Sequence, residues 1–146
     1  MRFFSFVLLA FLLKFSPAWE TDFEQAMLKA RTEHKYILLN FSGSDWCGPC
    51  ITMRKSIFEN IVFANFAETN LILMNADFPR MKKHQLSKDM QAKNNKLADE
   101  YNPRGNFPLT LLIDTTGKVI HSWEGLPPVS AVQFTNQLKD LLNVPR

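Results

Sequence analysis

The only two cysteines of this 146-residue chain stand three positions apart, in the run Trp46-Cys47-Gly48-Pro49-Cys50. Two thiols that close can alternate between dithiol and disulfide, or they can share a soft metal ion. Positions i and i+3 lie on one face of a helix, near enough for the sulfurs to bond without moving the backbone. That spacing favours redox chemistry over metal capture. No further cysteine remains for a structural staple, so the pair is there for chemistry.

The elements that must hold the pair are legible on either side of it. Tyr36 to Phe41 reads as a buried strand, and after the motif Met53, Ile57, Phe58, Ile61, Val62 and Phe66 recur at helical spacing, with a break expected at Asn60. The cysteines therefore sit where a strand gives way to the first turn of a helix. Ser44 and Asp45 are the expected caps, and Pro49 fits a first turn because its missing N–H would have had no helical partner. A thiol at that place feels unpaired N–H groups and the positive end of the helix dipole. Its pKa falls from about 8.5 toward about 7 or below. Cys47, facing solvent, is then the expected nucleophile, and Cys50, lying beneath it, the resolving thiol.

The five-residue motif is identical to the active-site motif of thioredoxins, and the chain resembles that family over roughly residues 20 to 143. The segments Asn75-Ala76-Asp77 and Arg104-Gly105-Asn106-Phe107-Pro108 fall in the family's order. The stretch Phe41 to Trp46 is more similar to the exported thioredoxin-like thiol:disulfide interchange proteins of bacteria. This resemblance implies an α/β thioredoxin fold, a central mixed β-sheet flanked by helices on both faces. It implies catalytic Cys47 and Cys50 forming a redox disulfide. In the motif Trp46 shapes the apolar surface beside the sulfur, while Gly48 and Pro49 set the turn and the reduction potential. It also implies substrate binding at Phe107 and Pro108, with Pro108 a cis proline against the cysteines and Phe107 presented to solvent beside Cys47. No cofactor and no metal are implied.

The chain departs from the family in three places. Where relatives bury an acidic residue beneath the second cysteine, this sequence has Asn40, and the usual lysine partner of that acid matches Leu73. Both charges are absent together, which is what a buried pair requires, since one left alone costs several kcal/mol. Leu109 stands where many relatives have threonine, whereas Gly125 matches a family glycine near the active-site surface. The third departure is a basic insertion over residues 78–91, carrying Arg80, Lys82, Lys83, His84 and Lys88. It reads either as a solvated face or as a docking face for an acidic partner.

The start of the chain is different material. Arg2, the apolar stretch Phe3 to Leu13 and the small residues Ser16 and Ala18 describe a signal peptide over residues 1–18, cut after Ala18. The stretch is shorter than the about 20 residues needed to span a bilayer. The protein is thus expected to be exported, periplasmic or secreted, with residues 19–146 as a single thioredoxin-like domain. Taking Arg2 and Lys14 away lowers the formal net charge from +3 to +1. That leaves no concentrated basic surface of the kind nucleic-acid binding needs.

Along the mature chain, Thr21 with Glu24 and Ser130 with Gln133 read as capping boxes opening amphipathic helices. A helix is expected to resume around Leu97 and close before Pro103, and Asp114 to Gly117 is a hairpin turn. The expected function is an exported thiol:disulfide oxidoreductase, in the reducing direction, acting through a mixed disulfide. Its partners would be protein disulfide substrates and a membrane reductase as electron donor, with the protein itself a monomer. The alternatives are a thiolate module that binds or delivers copper, and a non-catalytic substrate-binding module. His34, His84 and His121 fall on separate elements and offer a structural zinc no four-ligand set.

Overall fold

The runs Tyr36–Ser42 (β2) and Leu71–Asp77 (β3) lie parallel, side by side and largely buried, and the other elements are arranged about them. The computed structural model describes residues 17–144. Trp19–Glu20 (β1) pairs parallel with β3 at one edge. Leu109–Ile113 (β4) is antiparallel to β2, and Val119–Glu124 (β5) is antiparallel to β4 at the other edge. The strand order is β1-β3-β2-β4-β5. The helices are Phe23–Glu33 (α1), Gly48–Met53 (α2), Ile61–Asn70 (α3), Lys88–Tyr101 (α4) and Ala131–Leu142 (α5).

Successive side chains of a strand point to opposite faces, and this divides the core into two layers. Leu38, Leu73 and Leu112 face Phe63 of α3 and Phe134 and Leu138 of α5. Ile37, Leu39, Ile72, Met74 and Leu111 face Ala26 and Ala30 of α1 and Leu97 of α4. The result is the expected α/β architecture, a mixed sheet with helices on both faces. Because both faces are covered, β2 reads as an unbroken apolar run rather than an alternating one.

Three local expectations are corrected. The apolar stripe of the second helix does not run through, because α2 passes into a π-helical turn, Arg54–Phe58, and α3 restarts with Asn60 as its N-cap. The wider turn and the new cap reset the helical phase. Phe63, Ala64, Phe66 and Ala67 are therefore buried, while Ile61 and Val62 are exposed. Secondly, α1 is capped by Asp22 and not by Thr21. The Asp22 carboxylate accepts the N–H groups of Glu24 and Gln25 at 3.0 and 3.2 Å and also meets Lys93 of α4 at 2.8 Å. The Lys93 hydrogen bond and then the Gln25 N–H hold that carboxyl below its ordinary range. Thirdly, α4 begins at Lys88, with Ser87 as cap, so the last residues of the 78–91 insertion are helical. The capping box of Ser130 and Gln133 is present, each side chain taking the other residue's N–H. The signal-peptide reading lies outside the described residues except at Pro17 and Ala18.

Phe134 joins the helical layer to the sheet, its ring against Phe58, Phe63 and Trp123 at 4.9 to 6.3 Å, and it is fully buried. Phe134→Ala is expected to cost about 3–5 kcal/mol of stability, through lost burial plus an incompletely collapsed cavity. Urea unfolding monitored by tryptophan fluorescence measures it.

Candidate active site

Strand β2 ends at Ser42, and the chain turns through Gly43 to Trp46 before α2 starts. The turn closes with the Cys47 N–H donating to the Gly43 carbonyl at 2.9 Å. The N-cap of α2 is Cys47 itself. Its Sγ accepts the Cys50 N–H at 3.2 Å, which takes the place a hydroxyl or carboxylate usually fills. Ser44 and Asp45 are thus not the caps of this helix. Gly48 and Pro49 occupy its first turn and are exposed. The two sulfurs are joined in a disulfide, with Cα atoms 5.2 Å apart. Both cysteines are nearly buried, Cys47 at 4% and Cys50 at 6% exposure, so burial alone does not separate an outer from an inner sulfur as expected.

Ser44 and Asp45 act across the site. Ser44 donates its N–H and hydroxyl to the Asp77 carboxylate at the end of β3, at 2.9 and 2.5 Å. Asp45 accepts the N–H groups of Arg80 and Met81, each at 2.9 Å, and contacts His84 Nδ1 at 3.0 Å. Its side chain is only 4% exposed, and the Arg80 N–H, then the Met81 N–H and His84, hold its carboxyl below the ordinary range. The basic insertion is therefore fastened to the loop that precedes the cysteines.

Trp46 is clamped from several directions. Its Nε1 donates to the Phe78 carbonyl at 2.7 Å, and the Arg80 guanidinium lies 3.7 Å above the ring centroid. Its edge meets Phe107 at 5.4 Å, and Phe107 in turn meets Phe78 at 5.5 Å. A Cβ at position 43 would come within 2.2 Å of the indole, so only glycine leaves room for the ring there. Phe107 is consequently half-buried between aromatic neighbours rather than presented freely to solvent. The Phe107–Pro108 peptide bond is cis. The Pro108 carbonyl accepts the N–H of Gly125, at 2.8 Å, and Gly125 takes a φ of 75° that favours glycine.

A cleft of about 190 Å³ opens beside Cys50, lined by Thr21, Asn40, Ser42, Ser44, Asn75 and the charged Arg54 on its polar side and by Trp19, Ile51 and Phe58 on the other. Asn40 donates to Asn75 Oδ1 at 3.0 Å and accepts from the Thr110 hydroxyl at 3.0 Å. The Ser42 hydroxyl lies 3.0 Å from the same Asn75 oxygen and 3.3 Å from Asp77 Oδ1. The register Asn40↔Asn75 explains why this partner was missed. The position matching the family's lysine, Leu73, lies one step down the same face of β3 and pairs with Leu38 instead. A neutral amide pair, anchored by Thr110, stands beneath the second cysteine, where the sequence had already shown both charges of the family's buried pair to be absent. Among the described residues no three histidine, cysteine, aspartate or glutamate side chains converge to hold a metal.

The comparisons agree with this geometry. A family model described as Thioredoxin-like matches residues 18–114. Over 126 residues the chain is 34% identical to the protein named "Disulfide bond reductase DsbH" of Chlamydia pneumoniae, spanning 86% of this chain and 73% of that one. Among solved structures it is similar to one titled "DsbH Oxidoreductase", with a TM-score of 0.79 and 30% identity over 89% of this chain and 87% of that one. A thioredoxin from Thermus thermophilus matches at a TM-score of 0.65 and 13% identity, over 87% of this chain and 88% of that one, a likeness of fold.

Two outcomes are expected from these contacts. The lowered pKa of Asp45 means that its stabilisation of the insertion is present above about pH 4 and is lost as pH falls through the depressed value. Amide hydrogen exchange at Arg80 and Met81, corrected for intrinsic rate, should lose protection on acidification in the parent but be pH-independent in Asp45→Asn. In Asn40→Asp the new carboxyl would be buried and its pKa raised. That variant should lose stability as pH rises from about 4 through the raised value, and its disulfide exchange should gain an inflection the parent lacks. Identical pH profiles would remove position 40 from the chemistry of Cys50.

Proposed function

The chain belongs to the thioredoxin-like family and is a protein-disulfide oxidoreductase, and from that premise we propose that it works after export as a disulfide reductase. The observation that carries the mechanism is Cys47 Sγ receiving the Cys50 N–H at the start of α2. A group that accepts a hydrogen bond there is favoured in its anionic form, and the helix terminus adds to the effect. In the dithiol state the Cys47 thiolate attacks one sulfur of a client disulfide. The Cys47–client mixed disulfide forms, and the other client sulfur leaves as thiolate and takes up a proton. Cys50, having given up its proton, then attacks Cys47 Sγ. The mixed disulfide breaks, the second client thiol is released, and Cys47–Cys50 closes as the disulfide, two electrons having passed to the client.

Trp46 and Phe107 supply the apolar wall beside the reacting sulfur. Gly48 and Pro49 hold the turn, and the backbone before Pro108 pairs with an extended client segment. The Cys50 proton leaves into the neighbouring cleft, where Asn40, Ser42 and Asn75 offer neutral groups and Arg54 is the charged lining residue. The reducing direction draws support from the Gly-Pro dipeptide and from the relative named as a disulfide bond reductase. Export rests on the N-terminal pattern of residues 1–18. Residues 19–146 then form the mature domain, a monomer without cofactor that is recharged by a membrane reductase.

The test is the reduction potential of the Cys47–Cys50 couple in the mature protein, equilibrated against dithiothreitol or glutathione buffers. A value near the about −270 mV of thioredoxin is expected, and one near about −120 mV would reverse the direction. Cys50→Ser should trap a stable mixed disulfide with a model client, and Cys47→Ser should trap none. Trapping by neither variant would overturn the assigned roles.

A further inference from the structure

The segment between β3 and α4 is more than a loop with a basic composition. Phe78, Pro79, Arg80 and Leu86 form one wall of a groove of about 430 Å³ whose opposite side is Trp46 and Phe107, the aromatic pair next to the cysteines. The wall is braced from within. Gln85 donates to the carbonyls of Pro79 and Arg80, Gln91 donates to that of Leu86, and Asn94 donates to that of Asp77. Asp45 fixes its other end. A stretch that serves only to keep a surface solvated has no need of such anchoring.

The charges on this wall are unbalanced. Lys82, Lys83 and Lys88 are exposed, and among the described residues none meets a carboxylate. The Arg80 guanidinium is stacked on Trp46 and is likewise without an acidic partner. The nearby acids, Asp77 of the groove lining among them, already have partners. Asp45 is taken by two N–H groups and His84, Asp77 by Ser42 and Ser44, and Asp89 by Lys93. Positive charge is thus carried by the segment that walls a groove of mixed apolar and polar lining beside Trp46, with Arg80 fixed against the indole.

We infer that this groove selects polypeptide clients whose reactive cysteine is flanked by acidic residues, its Trp46–Phe107 side receiving the extended segment and the 80–88 wall receiving its carboxylates. The inference rests on the oxidoreductase reading for its chemistry but not for its binding step. Charge complementarity of this kind acts mainly on encounter and on discrimination between partners, and it is screened by salt.

The experiment uses three otherwise identical peptides, each carrying an intramolecular disulfide, flanked by aspartate and glutamate, by serine and asparagine, or by lysine. At low ionic strength the acidic peptide should be reduced with kcat/KM about tenfold or more above the lysine peptide. The difference should lie in KM and fade at about 0.5 M salt. The charge reversal Lys82→Glu/Lys83→Glu/Lys88→Glu, at exposed sites outside the catalytic contacts, should transfer the preference to the lysine peptide. Equal kcat/KM for the three peptides, or a preference the charge reversal leaves intact, overturns the inference while the oxidoreductase reading stands. Fluorescence anisotropy of labelled peptides with serine in place of both cysteines reads the docking step without chemistry. Acidic-selective binding without any turnover upholds the groove and overturns the oxidoreductase reading. Binding of a short single-stranded oligonucleotide in place of the acidic peptide assigns the surface to nucleic acid and overturns the inference.

Discussion

A helix needs its first free N–H groups satisfied, and here one of them is satisfied by sulfur. The contact from the Cys50 N–H to Cys47 Sγ requires the chain to leave β2, turn within a few residues and enter a helix with Cys47 still extended, at φ −90° and ψ 99°. Everything that fixes that turn also sets the reactivity of the thiol. Gly43 must lack a side chain so that the Trp46 ring can lie across it, and the Gly43 carbonyl takes the Cys47 N–H. The apolar core beneath holds β2 and α2 in place, so folding energy spent on Leu38, Met53 and Phe63 is what keeps the cap closed.

The same constraint explains the polar residues under the site. A helix that starts over the end of a sheet leaves a layer where water and core meet. Asn40, Asn75, Thr110, Ser42 and Asp77 fill that layer as a connected ladder, running from the buried interior to a carboxylate at the rim. Among the described residues no buried side-chain polar atom is left without a partner. A neutral ladder avoids the desolvation that a buried ion pair carries, and removal of one member would leave the others unsatisfied. Its functional consequence is that Asn40 and Asn75 present neutral amides to the cleft beside Cys50, where Arg54 is the charged lining residue.

Around this centre the chain adds material that the turn itself does not need. The 78–91 segment is held by Asp45, a residue of the active-site loop, and it encloses Trp46 from above through Arg80. Loop and active site are therefore one mechanical unit, and a change in the insertion would be felt at the indole. The ion pairs elsewhere, such as Arg104 with Glu124, are exposed and of little weight by comparison.

The Cys-Gly-Pro-Cys spacing, the strand before it and the apolar periodicity on both sides were sufficient to name the redox pair and the α/β architecture, because local pattern and local chemistry agree there. The binding role of Phe107 and Pro108 rests on family resemblance, since nothing in their spacing alone ties them to the cysteines. The cap of α2, the phase of α3 and the partner of Asn40 were not legible. Each depends on a contact between residues whose identities admit several choices: a π-helical turn shifts which of Ile61, Val62 and Phe63 is buried, and strand register selects Asn75 over Leu73. The bracing of the basic segment by Asp45 spans more than thirty positions and appears only when β2 and β3 lie side by side. By itself the sequence determined what chemistry the chain carries and what elements it builds, because covalent spacing and hydrophobic period are local. Tertiary structure alone decided which polar groups meet beneath and beside the sulfurs, because a buried polar group must be satisfied by whatever the register places within reach.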